Sequence, residues 1–415
     1  MLILSKTHSD LQNTLNACKE YFKKWKLELN VMKTKIVVFN HSINRRYQGT
    51  FYYGSQPIEI VSSYKYLGLR VDQTLSFKNT IADLVTRGKR AYAALHRCIN
   101  IYDGANPKTI MKLFDTMISP ILLYCSEVWA PYILKGNIHD IFRNINMCIE
   151  KFHTSICKRS LGMKRNVSNI ACRTELGRLP LTVVAVINCF KYYLRLNTFS
   201  NETLLGQAVL QQKSLNLANK ETIFSFIQRT VVPLNLNINL YDKDISKYQI
   251  NNISKKLRQN LAGQYTVYVI QCLKQNGKLE IYTHVKSNNH FERYLFEISN
   301  LDIRKAISKL RLSAHKLPIE KGRLLNIPRH QRYCELCSAR IVGDEFHILM
   351  ECTNAELQEM RMTAYYKLTE HIPQFRMLPL KEQFFYVFSF CDSSCTRIVA
   401  PFIKKAMTRC EKSDK

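Results

Sequence analysis

KNTIADLVTRGKRAYAALHRCIN (78–100) is the stretch on which the reading of the whole chain turns. Ile81, Leu84, Val85, Gly88, Tyr92, Leu95 and Ile99 recur at spacings of three and four, which puts them on one face of a helix. From there to the C-terminus the pattern stays helical. Asn106-Pro107 is an N-cap and first-turn pair for the next helix. Pro120 should kink or end that helix. Further helical stretches are expected at roughly 141–158, 353–372 and 381–410. Residues 200–260 are polar, Asn-rich and the least periodic, so a domain boundary is expected there. No repeat at a solenoid period and no low-complexity tract appears.

Upstream of residue 75 the signals are mixed. MLILS (1–5) reads as a short strand. Leu11, Leu15, Cys18, Phe22, Trp25 and Leu29 then follow helical spacing, with Ser9 and Gln12 placed as a capping box. KTKIVVF (33–39) reads as a buried strand. FYYGSQPIEIVSSYKYLGLRVD (51–72) reads as a hairpin with turn signals at Gly54 and Ser62–Ser63. The expected fold is mainly α with a small α+β part at the N-terminus.

The chain has 415 residues, 46% of them hydrophobic, with only 13 Gly and 11 Pro, which excludes disordered, collagen-like and linker-rich classes. Its 61 Lys and Arg against 32 Asp and Glu leave a net charge of +29. Such a surplus repels itself in a folded body and points to a polyanionic partner. Cys18, Cys98 and Cys189 fall in helical apolar patterns, so the 14 cysteines read as reduced thiols in cytoplasm or nucleus. No signal-peptide pattern and no membrane-spanning run is found; the nearest, residues 118–134, contains Glu127 and two prolines.

The strongest chemical signal is Cys334, Cys337, His347 and Cys352, spaced C-x2-C-x9-H-x4-C. A tight Cys-x2-Cys turn aims two thiolates at one point, and a returning His and Cys complete a tetrahedron suited to structural Zn²⁺. Asp344 or Glu345 is placed to orient His347. Cys391, Cys395 and Cys410 read as core residues of a helix pair, not a second metal site.

Basic residues concentrate in two windows. Residues 151–195 hold nine Lys and Arg against Glu175 alone, among them Lys158, Arg159, Lys164, Arg165, Arg173 and Arg178. Residues 301–340 hold ten against three acids, among them Arg323, Arg329 and Arg332. Phosphate contacts from these cations would release counterions, making binding steeply salt-dependent. Tyr192, Tyr193 and Tyr333 are candidates to stack on unpaired bases. No duplex-reading motif is present. Nor is a catalytic constellation: Glu59 and Asp72 have no neighbouring carboxylate with which to hold a pair of Mg²⁺ ions.

The order WKLELNVMKTKIVVF (25–39), SYKYLGLRVD (63–72), SPILLYCSEVW (119–129), KRSLGMKRNVSNIACRTELGRLPL (158–181) and CELC…HILMEC (334–352) resembles the distal half of a non-LTR, LINE-type retrotransposon reverse transcriptase. The resemblance implies the following partition. Residues 1–75 would be a palm remnant with a primer-grip-like hairpin, 76–200 a helical thumb, 201–300 a linker and helical extension, and 301–415 a basic module with a zinc knuckle. Asn30, Lys33 and Thr34 match the family's N-x-x-K-T stretch near the incoming nucleotide, and Tyr66, Leu67 and Gly68 the hairpin at the primer end. Fingers, most of the palm, both catalytic aspartates and the endonuclease are missing from the match. The expectation is therefore a truncated polymerase relative that binds RNA or DNA without synthesising DNA, with Zn²⁺ as its ion and Mg²⁺ only if joined to a complete palm. The alternatives are a C-terminal fragment of an active reverse transcriptase, and a host-retained zinc-knuckle interaction protein.

Overall fold

The computed structural model describes residues 2–39, 47–99, 106–144, 146–236, 244–389 and 393–412. The first helix, α1 (His8–Lys24), starts at Thr7, whose hydroxyl accepts the Asp10 N–H. Ser9 and Gln12 do not form the expected capping box. The Gln12 carboxamide instead pairs with Tyr52, donating to its O at 2.8 Å and accepting from its N at 2.9 Å. Because α1 ends at Lys24, Trp25 and Leu29 fall beyond its apolar face, and Trp25 is 60% exposed.

The expected single hairpin is two. Strands β1 (Phe51–Tyr53) and β2 (Gln56–Ile58) pair antiparallel around Gly54, and β3 (Ser63–Tyr66) and β4 (Leu69–Asp72) pair around Leu67–Gly68. Leu67 and Gly68 both have positive φ, 46° and 85°, as a two-residue type I′ hairpin turn requires. Ser62 bends the chain into β3, but the hairpin turns at Leu67–Gly68 and not at Ser62–Ser63. The strands expected at 1–5 and 33–39 do not form: Leu2–Ser5 join no ladder, and Ile36 alone makes a parallel bridge, to Ile60. Apolar runs become strands only when another segment takes up their backbone groups in succession; among the described residues 59–61 does so for Ile36 alone, and no ladder forms beside Leu2–Ser5. Leu15, Phe51 and Ile58 close a small apolar cluster of their own.

The helical body begins with α2 (Lys78–Ile99), which buries Ile81, Leu84, Val85, Tyr92 and Leu95 as its spacing predicts. Asn106 caps α3 (Pro107–Leu113) through its side chain, also as predicted. Pro120 leaves its mark as a π turn over Phe114–Ile118, leading into α4 (Ser119–Leu122). A proline lacks the N–H and crowds the carbonyl four residues back, so the ladder widens ahead of it. A Cβ on Gly88 would lie 2.6 Å from Leu122, so glycine there lets α2 and α4 close together.

Next come α5 (Ser126–Ile133), α6 (Ile138–Arg143), α7 (Cys148–Ser160), α8 (Asn169–Glu175) and α9 (Leu181–Leu196), with the end of α6 and most of α7 covering the helical stretch expected over 141–158. The weakly periodic stretch holds α10 (Leu204–Leu217), α11 (Ile223–Thr230) and the start of α12 (Lys247–Lys274). α12 packs on α9 and buries Leu257, Leu261, Tyr265 and Val269. The chain ends through α13 (Glu280–Val285), α14 (Tyr294–Glu297), α15 (Leu301–Arg311), α16 (Pro318–Leu324), a π turn at His347–Glu351, α17 (Ala355–His371), α18 (Leu380–Ser389) and α19 (Ser393–Lys412). The helical stretch expected over 381–410 comprises α18 and α19. One apolar core runs continuously from Leu69 to Cys410.

Two buried carboxylates tie this body together. Glu150 on α7 accepts from Arg173 at 2.9 Å and from the Thr182 N–H at 2.8 Å. Glu175, at the end of α8, accepts from Arg311 Nε at 2.7 Å, Tyr294 Oη at 2.7 Å and Tyr282 Oη at 2.8 Å. Arg311 also donates to Phe388 O at 2.8 Å and pairs with Glu292 at 3.1 Å, so one guanidinium joins α8, α15 and α18.

Candidate metal centre and nucleic-acid interface

Cys334 and Cys337 sit on a tight turn closed by a bridge between Tyr333 and Val342, with the Cys334 N–H donating to Ile341 O at 2.8 Å. The Leu336 N–H points back at Cys334 Sγ, 3.4 Å away. His347 and Cys352 come from the π turn, whose start is capped by Asp344 accepting the His347 N–H at 2.9 Å. The Cys352 N–H donates to His347 O, five residues back, at 2.7 Å. In an α-helix residues five apart lie about 140° round the axis; the wider turn swings Cys352 toward the side that His347 occupies.

All four donor atoms lie within 4.8 Å of one another. Cys334 Sγ is 3.8 Å from Cys352 Sγ, and Cys337 Sγ is 3.4 Å from His347 Nε2. A tetrahedral zinc ion with bonds of about 2.3 Å to sulfur holds its thiolates about 3.8 Å apart, so the set fits a metal ion such as zinc. Burial pushes the Cys334 thiol up to about 12, and a shared cation is what stabilises thiolates in such a place. Three sulfurs and one imidazole complete a tetrahedron and leave no position for a reacting water. Bound there, the ion would supply a crosslink between the 334–337 and 347–352 turns.

Helix α17 backs this centre. Asn354 caps it and donates to Leu336 O at 3.3 Å, and Arg361 donates to Leu349 O and Cys352 O, each at 2.9 Å. Glu345, one of the two acids expected to orient His347, is paired with His315 Nε2 at 2.8 Å, while Asp344 takes the backbone of His347. Cys395 and Cys410 are buried in α19, as expected of core residues. Cys391 lies outside the described residues.

Between α2 and α7 lies a groove of about 1440 Å³. Lys89 and Arg97 of α2, Lys151, Lys158 and Arg159 of α7, and Lys164 and Arg165 of the next loop line it, and among the described residues no Asp or Glu does. Lys158 is held in place by donating to Arg165 O at 2.6 Å, and burial keeps its ammonium below the ordinary lysine range. Arg159 lies over the Tyr92 ring, 5.9 Å from its centroid. Charge counts along the chain pick out the α7 side of this groove and miss Lys89 and Arg97. Those two stand eight residues apart on a helix that carries five Lys and Arg against Asp83 alone, so its own basic charge was a signal the two windows passed over.

The other predicted cations have partners within the protein. Arg173 is fully buried against Glu150, out of reach of any phosphate. Arg178 grips both oxygens of Asp115. Arg323 pairs with Glu320 at 2.8 Å and Arg329 with Glu280 at 3.6 Å. Arg332 donates to Ile327 O at 2.8 Å and Ile319 O at 3.0 Å. Of the tyrosines, Tyr193 is buried against Phe224, Tyr192 is half-buried, and Tyr333 is exposed.

The residues matched by resemblance form two linked turns. Asn30 accepts the Lys33 N–H at 3.0 Å, and Thr34 Oγ1 donates to Asn30 O at 2.9 Å. Tyr64 of β3 donates to Lys33 O at 3.1 Å, joining this turn to the hairpin. At the tip, Leu67 O accepts from Tyr124 at 2.7 Å and Gly68 O from Arg87 at 3.0 Å, and Tyr66 is half-buried. Asp72 is fully engaged by the backbone N–H and hydroxyl groups of Thr74 and Ser76, and Glu59 by Lys35.

No family model and no solved structure matches the chain. It is 25% identical over 167 residues to a 115 kDa protein of a Drosophila melanogaster type-1 retrotransposable element, covering 40% of this chain and 16% of that protein. It is 23% identical over 185 residues to the retrovirus-related Pol polyprotein of the type-1 retrotransposable element R1 of Nasonia vitripennis, covering 43% of this chain and 53% of that one. A transposon-derived protein of Caenorhabditis elegans is 30% identical over 126 residues, 41% of its length. The chain thus spans about half or less of each of these relatives. These similarities support a retrotransposon-derived protein.

Proposed function

We propose that the chain is a nucleic-acid-binding part of a non-LTR retrotransposon reverse transcriptase, one that holds RNA or DNA but carries no polymerase chemistry of its own. Supporting this are the retrotransposon relatives, the order of short motifs, and above all the groove between α2 and α7, lined among the described residues by seven cations and no carboxylate. In this reading residues 1–75 are palm remnant, 76–200 thumb, 201–300 extension, and 301–415 a module built on zinc held by Cys334, Cys337, His347 and Cys352. The exposed lysines and arginines of the groove contact phosphates. Tyr92, buried in its wall, offers no face on which a base could stack.

Fluorescence anisotropy with labelled RNA, single-stranded DNA and duplex across a salt series tests this. Affinity should fall steeply with salt, and the slope should shrink by about 0.7–0.9 for each phosphate-binding cation removed in Lys89→Glu, Lys164→Glu and Arg165→Glu. Unchanged affinity in the combined variant would remove the groove from the reading. Extension of a primer–template by the purified chain with nucleotides and Mg²⁺ would overturn the non-catalytic part. The second reading, a C-terminal fragment of an active reverse transcriptase that needs a complete palm joined to it, is supported by the partial coverage of the relatives.

A further inference from the structure

The Cys3His centre leaves one polar atom without a partner. His347 turns Nε2 toward Cys337 Sγ, so a metal-bound ring carries its proton on Nδ1. That Nδ1 is buried and has no hydrogen bond, and the residue is 2% exposed, so solvent does not supply one. A buried N–H left unsatisfied is costly, so the ring favours an acceptor within reach. The two acids that precede the ring in sequence are otherwise engaged, Asp344 with the His347 backbone and Glu345 with His315. One turn further on, Glu351 Oε2 stands 3.8 Å from Nδ1, with its carboxylate 39% exposed.

We propose that Glu351 is the positioning residue of this centre, its carboxylate accepting the Nδ1–H of metal-bound His347. This rests on the reading of the four residues as a metal centre. A shift of about 1 Å closes 3.8 Å to hydrogen-bond length, and a half-exposed side chain on the same turn makes that shift by rotamer change. The contact fixes the ring's tautomer and orientation and makes Nε2 a better donor to the ion. Arg361, which donates to Cys352 O, brings a guanidinium to the same centre.

The test uses the full chain, titrated with Co²⁺ and then Zn²⁺ in competition with a chromophoric chelator. Glu351→Ala should bind about 10–100-fold more weakly than wild type while keeping a four-coordinate cobalt spectrum. Glu351→Gln, whose amide oxygen still accepts a hydrogen bond, should fall between. Glu359→Ala, which removes the same charge from an exposed site on α17, should bind as wild type. The Nδ1–H proton resonance of His347 in the metal-loaded protein should shift or vanish in Glu351→Ala alone. A Glu351→Ala chain that matches Glu359→Ala in affinity and keeps that resonance overturns the role of Glu351. A wild-type chain that takes up no cobalt overturns the metal centre and this inference with it.

Discussion

In the N-terminal segment Leu15, Phe51 and Ile58 form an apolar cluster by themselves, whereas Cys334, Ile348 and Cys352 near the other end are part of the core that runs from Leu69. The N-terminal segment leaves Tyr21, Trp25, Leu27 and Met32 between 56% and 82% exposed. The metal region instead buries Ile348, Leu349 and Met350 in that core, its four donors converge on one point, and Arg361 and Asn354 of α17 hold its turns. Burying a large aliphatic side chain contributes about 1.5–3 kcal/mol, so a three-residue cluster is a weak anchor. A structural zinc ion contributes on the order of 10 kcal/mol in small modules. Two regions of similar irregularity should therefore differ widely in stability, and the difference is open to experiment.

The largest effect is expected from Cys334→Ser with Cys337→Ser. The doubly substituted chain should lose its metal, expose residues 329–354 to limited proteolysis, and keep its overall helical circular dichroism, since α2 to α9 pack without that turn. Retained metal stoichiometry would break the comparison. Arg311→Met should come next, at about 3–5 kcal/mol, because it strands the Glu175 carboxylate in a dry core. Chemical denaturation of the main transition reads it.

The same carboxylate sets an acid limit. Burial alone would raise the Glu175 pKa, but the Arg311 guanidinium and Lys286 ammonium outweigh it and hold the carboxyl below its ordinary 4.5. Its stabilising effect is present above that ordinary value and is lost as pH falls through the lower folded one. Stability should then drop below pH 4.5, less steeply in Glu175→Gln once that variant's own loss is subtracted. Glu150, held low by His153 and Arg173 against the effect of burial, adds in the same direction.

Leu15→Ala should cost about 2–3 kcal/mol, but only locally. Hydrogen exchange should speed up across 8–58 while the main melting transition stays put. A fall in the main transition would show that the segment is part of the body after all. Residues 1–75 expressed alone should be poorly soluble, given their unpaired extended backbone and exposed aromatics. The smallest effect is Tyr124→Phe, which removes the bond to Leu67 O and should cost about 1 kcal/mol, seen as faster exchange at the β3–β4 tip.

Much of this was legible in the chain's order of residues. The α2 periodicity, the Asn106 cap and the Cys3His set needed no tertiary information, because each depends on neighbours within one helix or on a spacing that few other functions use. What escaped was governed by distant partners. MLILS and KTKIVVF have strand composition, but strand formation depends on a neighbour that composition does not reveal. Arg173 and Arg178 look like their exposed neighbours in a basic window. Yet Glu150, 23 residues away, and Asp115, 63 away, decide that they belong inside the protein. Lys89 and Arg97, in turn, join the basic groove only because α2 lies beside α7.

The sequence by itself determined the helical class, the strong positive charge and the four donors of the metal centre, since these follow from local periodicity, composition and spacing. Only the tertiary structure decided which cations face outward, which carboxylates lock the core, and that Glu351 stands beside His347 where Asp344 and Glu345 do not. A charge's role depends on the burial and the partner it receives, and both are set by segments far apart in the chain.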